Sequence, residues 1–417
     1  MNNVVAVLGA DGYLGWPMSM HLSRLGYQVV AVDSLARRRW DAEGGTYSLV
    51  PIKSMEQRCD RWFEITGDRI NWEQVDLCDY DALDSMIERW RPSAVVHFAE
   101  QRSAPFSMVD RTHAVMTQVN NVTGNLNLMF AIRKWVPDCH LVKLGSMGEY
   151  GCPNIDIEEG YITIEHNGRT DTLPFPKNPH SFYHLSKVAD SGNIALGCHI
   201  WGMRATDLNQ GIVYGIETDE TMLHPDLMTR LDFDSIWGTA LNRFCVQAAA
   251  GLPITVYGKG GQTRGYLDIR DTLACIALTL ANPPERGECR VFNQFTEQFS
   301  LNQLADLVAN SRRSLGLSAS ITHLPNPRVE AEEHYYNAKH TALLDLALQP
   351  HYLGSTLLKS MIGLVETYVE RVDIVLLEQP SVSWQQGGNE IWREYAADST
   401  AIHPVRLAQH ALRMTPD

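Results

Sequence analysis

The chain has 417 residues, of which 44% are hydrophobic and 20% charged. That is ordinary globular usage, with enough length for two or three domains and an ample core. A formal net charge of -14 argues against a nucleic-acid partner, which calls for a basic face, and no apolar run approaches the roughly 18 residues of a membrane span, so no membrane insertion is expected. The eight cysteines show no C-x-x-C spacing and suggest neither a disulfide framework nor a zinc site; no metal is expected, and a reducing cytoplasm is the natural compartment.

The first element is the apolar strand Val4 to Leu8. Its run lacks the basic flank and cleavage site of a signal peptide. Gly9-Ala10-Asp11-Gly12-Tyr13-Leu14-Gly15 then leads into a helix reaching Leu25. Strand, glycine-rich turn and helix are the context of a dinucleotide fingerprint. Glycines let the backbone approach a pyrophosphate, and the helix N-terminus supplies free N–H donors to hold it. A second strand, Gln28 to Val32, ends at Asp33, about twenty residues beyond the glycines, where an acid accepts hydrogen bonds from the adenosine ribose and favours NAD. Arg37 and Arg38 could hold the 2′-phosphate of NADP, but Asp33 would repel that phosphate, so NAD is the expected cofactor.

Strands and helices continue to alternate: a strand Asn71 to Asp76, a helix Tyr80 to Trp90, a strand Ala94 to Phe98, a long helix from about Val109 to Trp135, and a strand His140 to Leu144. A helix Ser181 to His199 and a strand Gly202 to Asp207 follow. This pattern predicts an α/β fold, a Rossmann-type doubly wound parallel sheet covered by helices on both faces. Ligands then gather at the carboxyl ends of the strands, near Asp33, Asp76, the run Ala99 to Arg102, and Gly145-Ser146. Beyond Asn209 the pattern loosens into turn-rich and aromatic segments. We expect a NAD-binding domain over 1–208, a smaller α/β substrate-binding domain over 209–384 with some segments returning to the first, and a polar tail over 385–417.

The helix beginning at Ser181 carries Tyr183 and Lys187. At i, i+4 they share one face. A free tyrosine has a pKa of about 10 and a lysine about 10.4, so the ammonium should favour the phenolate and bring it toward working pH. The result is a general base able to take a proton from a sugar hydroxyl while hydride leaves the same carbon.

With Ser146, Tyr183 and Lys187 in this order, the chain resembles the extended short-chain dehydrogenases/reductases that modify nucleotide sugars. Longer strings narrow the likeness. HFAEQRSAP (97–105), LGSMGEYG (144–151), NIDIEEGYITIEHNGRTDTLP (154–174), ATDLNQG (205–211) and NPRVEAEEHYYNAKH (326–340) together resemble the UDP-sulfoquinovose synthase family from about Val4 to Trp384. The resemblance implies joining of UDP-glucose and sulfite through oxidation at C4, loss of water across C5 and C6, sulfite addition at C6 and re-reduction at C4. NAD would be tightly bound and recycled. Ser146, Tyr183 and Lys187 would be catalytic, and Leu77, Asn120 and Val213 would join the cofactor site.

The 4,6-dehydratases of the superfamily carry a Thr-Asp-Glu run where this chain has Ser146-Met147-Gly148. Glu149, offset by one, and His184 are therefore the candidates for moving the C5 or C6 proton. The resemblance points to Arg102 for sulfite, with His184 and Gln210 beside it. For UDP it points to Asn209, the segment Ala240, Leu241, Asn242 and Arg243, then Thr255 and Tyr257, and Gln262, Arg264 and Arg328. Arginine forks suit a diphosphate. The insertion 154–174 has an Asn167-Gly168 hairpin signal and is expected to form a flap that shields an enone from water. A homodimer through the 109–135 and Tyr183 helices is expected by analogy, and sulfite would arrive free or from a donor protein. The general motifs alone also fit another UDP-hexose epimerase or 4,6-dehydratase, or an NAD-binding regulator.

Overall fold

A computed structural model describes residues 3–330, 334–378, 381–384 and 387–388. Apart from Gly387 and Gly388, the tail lies outside the described residues, as do Ala331, Glu332 and Glu333 of the 326–340 string. In chain order the strands are β1 (Val4–Leu8), β2 (Gln28–Asp33), β3 (Ile70–Gln74), β4 (Ala94–His97), β5 (His140–Ser146), β6 (Tyr161–His166), β7 (Arg169–Pro174), β8 (Arg204–Gln210) and β9 (Ile212–Tyr214). They continue as β10 (Ile254–Tyr257), β11 (Thr263–Asp268), β12 (Cys289–Gln294), β13 (Glu297–Ser300) and β14 (Ile321–Leu324).

Seven strands form a parallel sheet in the order β12-β8-β5-β4-β1-β2-β3. Chain order reverses between β1 and β4, and the crevice at such a switch point is where ligands bind. Alternation within β1 explains the layering. Val5 and Val7 pack with Trp16, Leu22, Trp62 and Ile276 on one face, while Val4, Ala6 and Leu8 pack with Leu83, Ile87, Leu128 and Ile194 on the other. Each such buried aliphatic side chain contributes roughly 1.5–3 kcal/mol. Because both faces are covered, β1 reads as a continuous apolar run.

The later part of the chain builds two small sheets, β13-β11-β9 and β10-β14. Leu241, Phe244, Ile254, Tyr266, Leu304 and Ile362 share a separate core there. β12 returns to the main sheet beside β8.

Several boundaries differ from expectation. Gly202 adopts φ 67° and closes the Tyr183 helix, so β8 begins at Arg204 rather than at 202 and runs on to Gln210. The strand expected at Asn71 to Asp76 is Ile70–Gln74. The long helix starts at Arg111 and is interrupted by a π-helical turn, Val119–Thr123. That turn presents Asn121 inward, where its amide bonds both the N–H and the carbonyl of Gln101, at 2.8 and 3.0 Å, and donates to Ser186 Oγ at 2.8 Å.

The 161–174 hairpin does form, with positive φ at Asn167 and Gly168 as a type I′ turn requires. It is not a flap over the cavity described below, because no residue from 154 to 174 lines that cavity. It stands at the sheet edge, where Tyr161 donates to the Cys289 carbonyl at 3.1 Å and Gly160 packs on Val291. The preceding stretch clamps another segment, Ile157 pairing with Asn337 and Lys339 through its backbone.

Candidate active site

One continuous cavity of about 450 Å³ runs from the Gly9–Gly15 turn across the carboxyl ends of the strands to the later lobe. At its first end Gly9 has φ +82° and a side chain there would strike the Phe98–Ala99 backbone; a Cβ on Gly15 would come within 2.0 Å of the Gly9 carbonyl oxygen. The turn is therefore closed by main chain alone, and Gly9, Gly12, Tyr13 and Gly15 all line the cavity. Asp33 sits at the end of β2, accepting from Asp11 N–H at 2.9 Å and Leu35 N–H at 2.7 Å. Burial and the nearby Asp11 carboxylate raise its pKa to about 6. Asp76, Leu77, Asn120 and Val213 also line this half.

Two arginines expected near the cofactor are already committed. Arg37 lines the cavity but pairs with Asp232 at 3.0 Å and Asp41 at 2.9 Å. Arg38 does not line it; it pairs with Asp11 at 2.7 Å. Asp11, 2% exposed, is likewise outside the cavity and also pairs with the buried Arg58. Its side chain braces the turn instead of meeting a ligand.

In the middle of the cavity the Tyr183 helix begins at Ser181, whose Oγ caps it by accepting from His184 N–H at 3.2 Å. Tyr183, Lys187, His184 and Ser146 all face the same space. Ser146 ends β5, and its Oγ accepts from Gly148 N–H at 3.1 Å. Lys187 Nζ donates to the Leu144 carbonyl at 2.6 Å and lies 2.7 Å from Glu100 Oε2.

The expected lowering of the Tyr183 pKa does not occur. Burial pushes the phenol above its ordinary value, Lys187 pulls it down, and the carboxylates of Glu100 and Glu149 push it up again. The ammonium is offset because it is itself paired. Lys187 nevertheless stays charged: burial is the largest influence and opposes the charge, but Glu100 and Tyr183 together outweigh it and lift its pKa.

His184 is neutral, because burial and the charge of Arg328 bring it down to about 3. Its Nδ1 meets Ser181 Oγ at 2.9 Å and its ring lies on Gly148, where any Cβ would collide with Nε2. It adds no positive charge beside Arg102. Glu149 does not line the cavity and is fully buried. Its Oε1 accepts from Ser146 N–H at 2.9 Å, and its Oε2 accepts from Lys177 Nζ at 2.6 Å and Ser191 Oγ at 3.0 Å. Burial would raise its pKa, but Lys143 and Lys177 hold it down to about 2. It cannot move a substrate proton from there; it holds the Ser146 turn.

Arg102 lines the cavity with its side chain 37% exposed and pairs with the buried Asp232. Asp232 was not legible as a site residue: it lies 130 positions away in sequence, yet joins Arg37, Arg102 and Arg230. At the far end Gln210, Ala240, Arg243, Tyr257, Gln262, Arg264 and Arg328 line the wall. Gln262 Oε1 and Asn326 Nδ2 are buried with no hydrogen-bond partner among the described residues, which suits a polar ligand. Arg264 pairs with Glu330 at 2.7 Å.

Four expected substrate residues are behind the wall instead. Asn209 donates to Tyr150 OH at 2.8 Å, Leu241 is in the second core, Asn242 is buried in the helix Ala240–Ala249, and Thr255 bonds Gln247. Strand and helix periodicity turns Asn209, Leu241 and Asn242 away while a neighbour (Gln210, Ala240, Arg243) faces in, whereas Thr255 shares its strand face with Tyr257 but has its hydroxyl and N–H taken by Gln247.

Residues 5–293 match the NAD dependent epimerase/dehydratase family. The chain is 58% identical over 384 residues to the chloroplastic UDP-sulfoquinovose synthase of Spinacia oleracea, covering 92% of this chain and 80% of that one. It is 41% identical over 386 residues to the UDP-sulfoquinovose synthase of Sulfolobus acidocaldarius, covering 92% and 98%. Among solved structures, a UDP-glucose-4-epimerase from Stenotrophomonas maltophila superposes with a TM-score of 0.66 at 18% identity, over 89% of this chain and 98% of that chain. The fold and site are thus those of an NAD-dependent epimerase/dehydratase, an enzyme of nucleotide-sugar metabolism. Within that class the chain belongs to the UDP-sulfoquinovose synthase family.

The Asp33 environment yields a pH test. Below about pH 6 its carboxyl becomes neutral and its repulsion of a 2′-phosphate disappears. Preference for NAD over NADP, measured as a ratio of dissociation constants on cofactor-stripped protein, should fall as pH drops through about 6 and be low and flat in Asp33→Asn. A preference equally strong at pH 5 and pH 8 contradicts this role for Asp33.

Proposed function

We propose that this chain converts UDP-glucose and sulfite to UDP-sulfoquinovose, with Tyr183 as the base at C4. The observation that carries the reading is the meeting of Ser146, Tyr183 and Lys187 in one cavity between a glycine-rich dinucleotide turn and an arginine-bearing wall. Gly9, Gly12 and Gly15 would receive the pyrophosphate and Asp33 the adenosine ribose. With Arg37 and Arg38 spent on carboxylates, neither is free for a 2′-phosphate, which supports NAD. Arg243, Arg328 and the unpaired Gln262 and Asn326 atoms would receive UDP. We take 1–208 as mainly cofactor-binding and 209–384 as mainly sugar-binding, with β12 returning to the first.

The C6 hydroxyl of glucose is a poor leaving group, so direct displacement by sulfite is hard. A ketone at C4 acidifies C5–H, permits loss of water across C5 and C6, and leaves an enone that accepts sulfite at C6. When bound, the nicotinamide supplies the hydride acceptor for C4 and returns the same hydride, which is why it would stay tightly bound. Tyr183 takes the O4 proton and gives it back. Ser146 holds that oxygen, and Lys187 balances the phenolate.

Arg102 would hold sulfite, free or brought by a donor, since a guanidinium has five N–H donors and Asp232 engages only one of its nitrogens. His184 serves as a neutral hydrogen-bond partner. A second copy of the chain would pack on the exposed Val115, Val119, Phe182, Leu185 and Leu196 of the two outer helices. No described helix is long and apolar enough to cross a membrane, and eight free cysteines fit the cytoplasm.

Tyr183→Phe should keep the fold and bound dinucleotide yet lower turnover by at least about a hundredfold, the ordinary contribution of a positioned base. Product formation above a few per cent of the parent rate overturns the assignment. Arg102→Ala should still exchange the C5 proton of UDP-glucose with heavy water while its sulfite requirement rises by about ten- to a hundredfold, the worth of one charge-assisted hydrogen bond. Loss of exchange together with sulfonation would mean that Arg102 positions the sugar or the loop rather than sulfite.

A further inference from the structure

The loop after β4 carries a carboxylate that no step above uses. The Glu100 side chain is 1% exposed and its Oε2 lies 2.7 Å from Lys187 Nζ. Its other oxygen faces His97 Nε2 at 3.6 Å, and burial brings His97 down to about 4, so that imidazole is neutral near pH 7. An ammonium has three donors. One is directed at the Leu144 carbonyl, and the ion pair with Glu100 holds Nζ 5.9 Å from the Tyr183 ring centre. The loop itself is locked, because Asn121 bonds both backbone groups of the next residue, Gln101.

We propose that Glu100 is a positioning residue that pins the Lys187 ammonium beside Tyr183 and tempers its pull on the phenolic proton, so that the proton taken from O4 stays on Tyr183 until it is needed again. This rests on the reading of Tyr183 as the C4 base. The chemistry gives a reason for it. In the closed cycle the O4–H bond breaks to the Tyr183 oxygen, and the same proton must re-form that bond when the C4 hydride returns. A phenol that ionised freely would lose the proton to solvent while the sugar is still a ketone. The surrounding charges agree. Tyr183 is faced by Lys187 and Arg102, which favour its phenolate, and by Glu100 and Glu149, which oppose it. Lys187 is faced by Glu100, Tyr183 and Lys143. Asp190, one turn along the same helix, is pushed up by burial and by Glu100.

Glu100→Gln keeps the shape and removes the charge. The test follows tyrosinate absorbance of the holoenzyme against pH, with the Tyr183→Phe variant subtracted to isolate this one phenol, alongside the pH profile of turnover. In Glu100→Gln the Tyr183 titration and the rising limb of turnover should both move down by about one pH unit or more, a tenfold change in the proton equilibrium. Glu100→Asp, which withdraws the carboxylate by one methylene, should move both the same way by less, and it keeps the question answerable if the Gln variant does not fold. An unmoved Tyr183 titration, or turnover reduced equally at every pH, overturns the proposal. A titration that moves while the turnover limb does not would leave the Glu100–Tyr183 linkage standing and overturn the reading of Tyr183 as the base.

Discussion

The ion pair between Lys187 and Glu100 is the contact on which the rest of the site depends. A lysine beside a tyrosine is commonly expected to ease the phenol toward its anion, but here the ammonium is nearly dry and shares its charge with a carboxylate 2.7 Å away. Burial then outweighs attraction, and the phenol stays protonated to higher pH than a free tyrosine. In the proposed cycle its phenolate form takes the O4 proton and holds it firmly, which would suit a reaction whose proton and hydride both return to the carbon and oxygen they left. It would suit less well an enzyme that releases a reduced cofactor and sheds a proton each turn.

Around that pair the fold surrounds the reacting groups with fixed charges that do not themselves react. Glu149, Lys143 and Lys177 form one buried cluster behind Ser146; Asp232 with Arg37, Arg102 and Arg230 forms another whose Arg37 and Arg102 reach the cavity wall. Breaking such a cluster by removing one member leaves an uncompensated buried charge, which is costly. The pH consequences differ in sign. Glu149, held at about 2 in the folded chain, favours folding above the ordinary carboxylate range, and that contribution is lost as pH falls toward 2. Asp33 and Asp234, raised to about 6, favour folding below the ordinary carboxylate pKa and lose that contribution as pH rises through 6.

Local order in the sequence carried the cofactor end of this site. The apolar β1, the Gly9–Gly15 turn and Asp33 are consecutive, and main-chain sterics at Gly9 and Gly15 leave little alternative. Tyr183 and Lys187 on one face of a helix starting near Ser181 follow from helical spacing alone. What was not legible depends on residues brought together from afar. Glu149 is next to the motif, but its lysines at 143 and 177 make it a buried support. Asp232 and Arg102 meet only through tertiary packing. Asn209 and Asn242 share segments with cavity-lining residues yet point away, because a one-residue offset turns a side chain to the opposite face of a strand and about 100° around a helix. The Asn167-Gly168 turn was readable as a hairpin, whereas its place at the sheet edge was set by Cys289 and Val291, more than a hundred residues on.

In the proposed cycle one set of groups removes hydride and proton from C4 and restores both, with sulfonation at C6 in between. Deuterium placed on C4 of UDP-glucose tests this directly. Incubated with sulfite and no added dinucleotide, the purified holoenzyme should give a product with the mass of UDP-sulfoquinovose, still carrying its C4 deuterium over many turnovers per subunit. Product without deuterium, or turnover that stops after one equivalent unless dinucleotide is supplied, would contradict a closed redox cycle at C4.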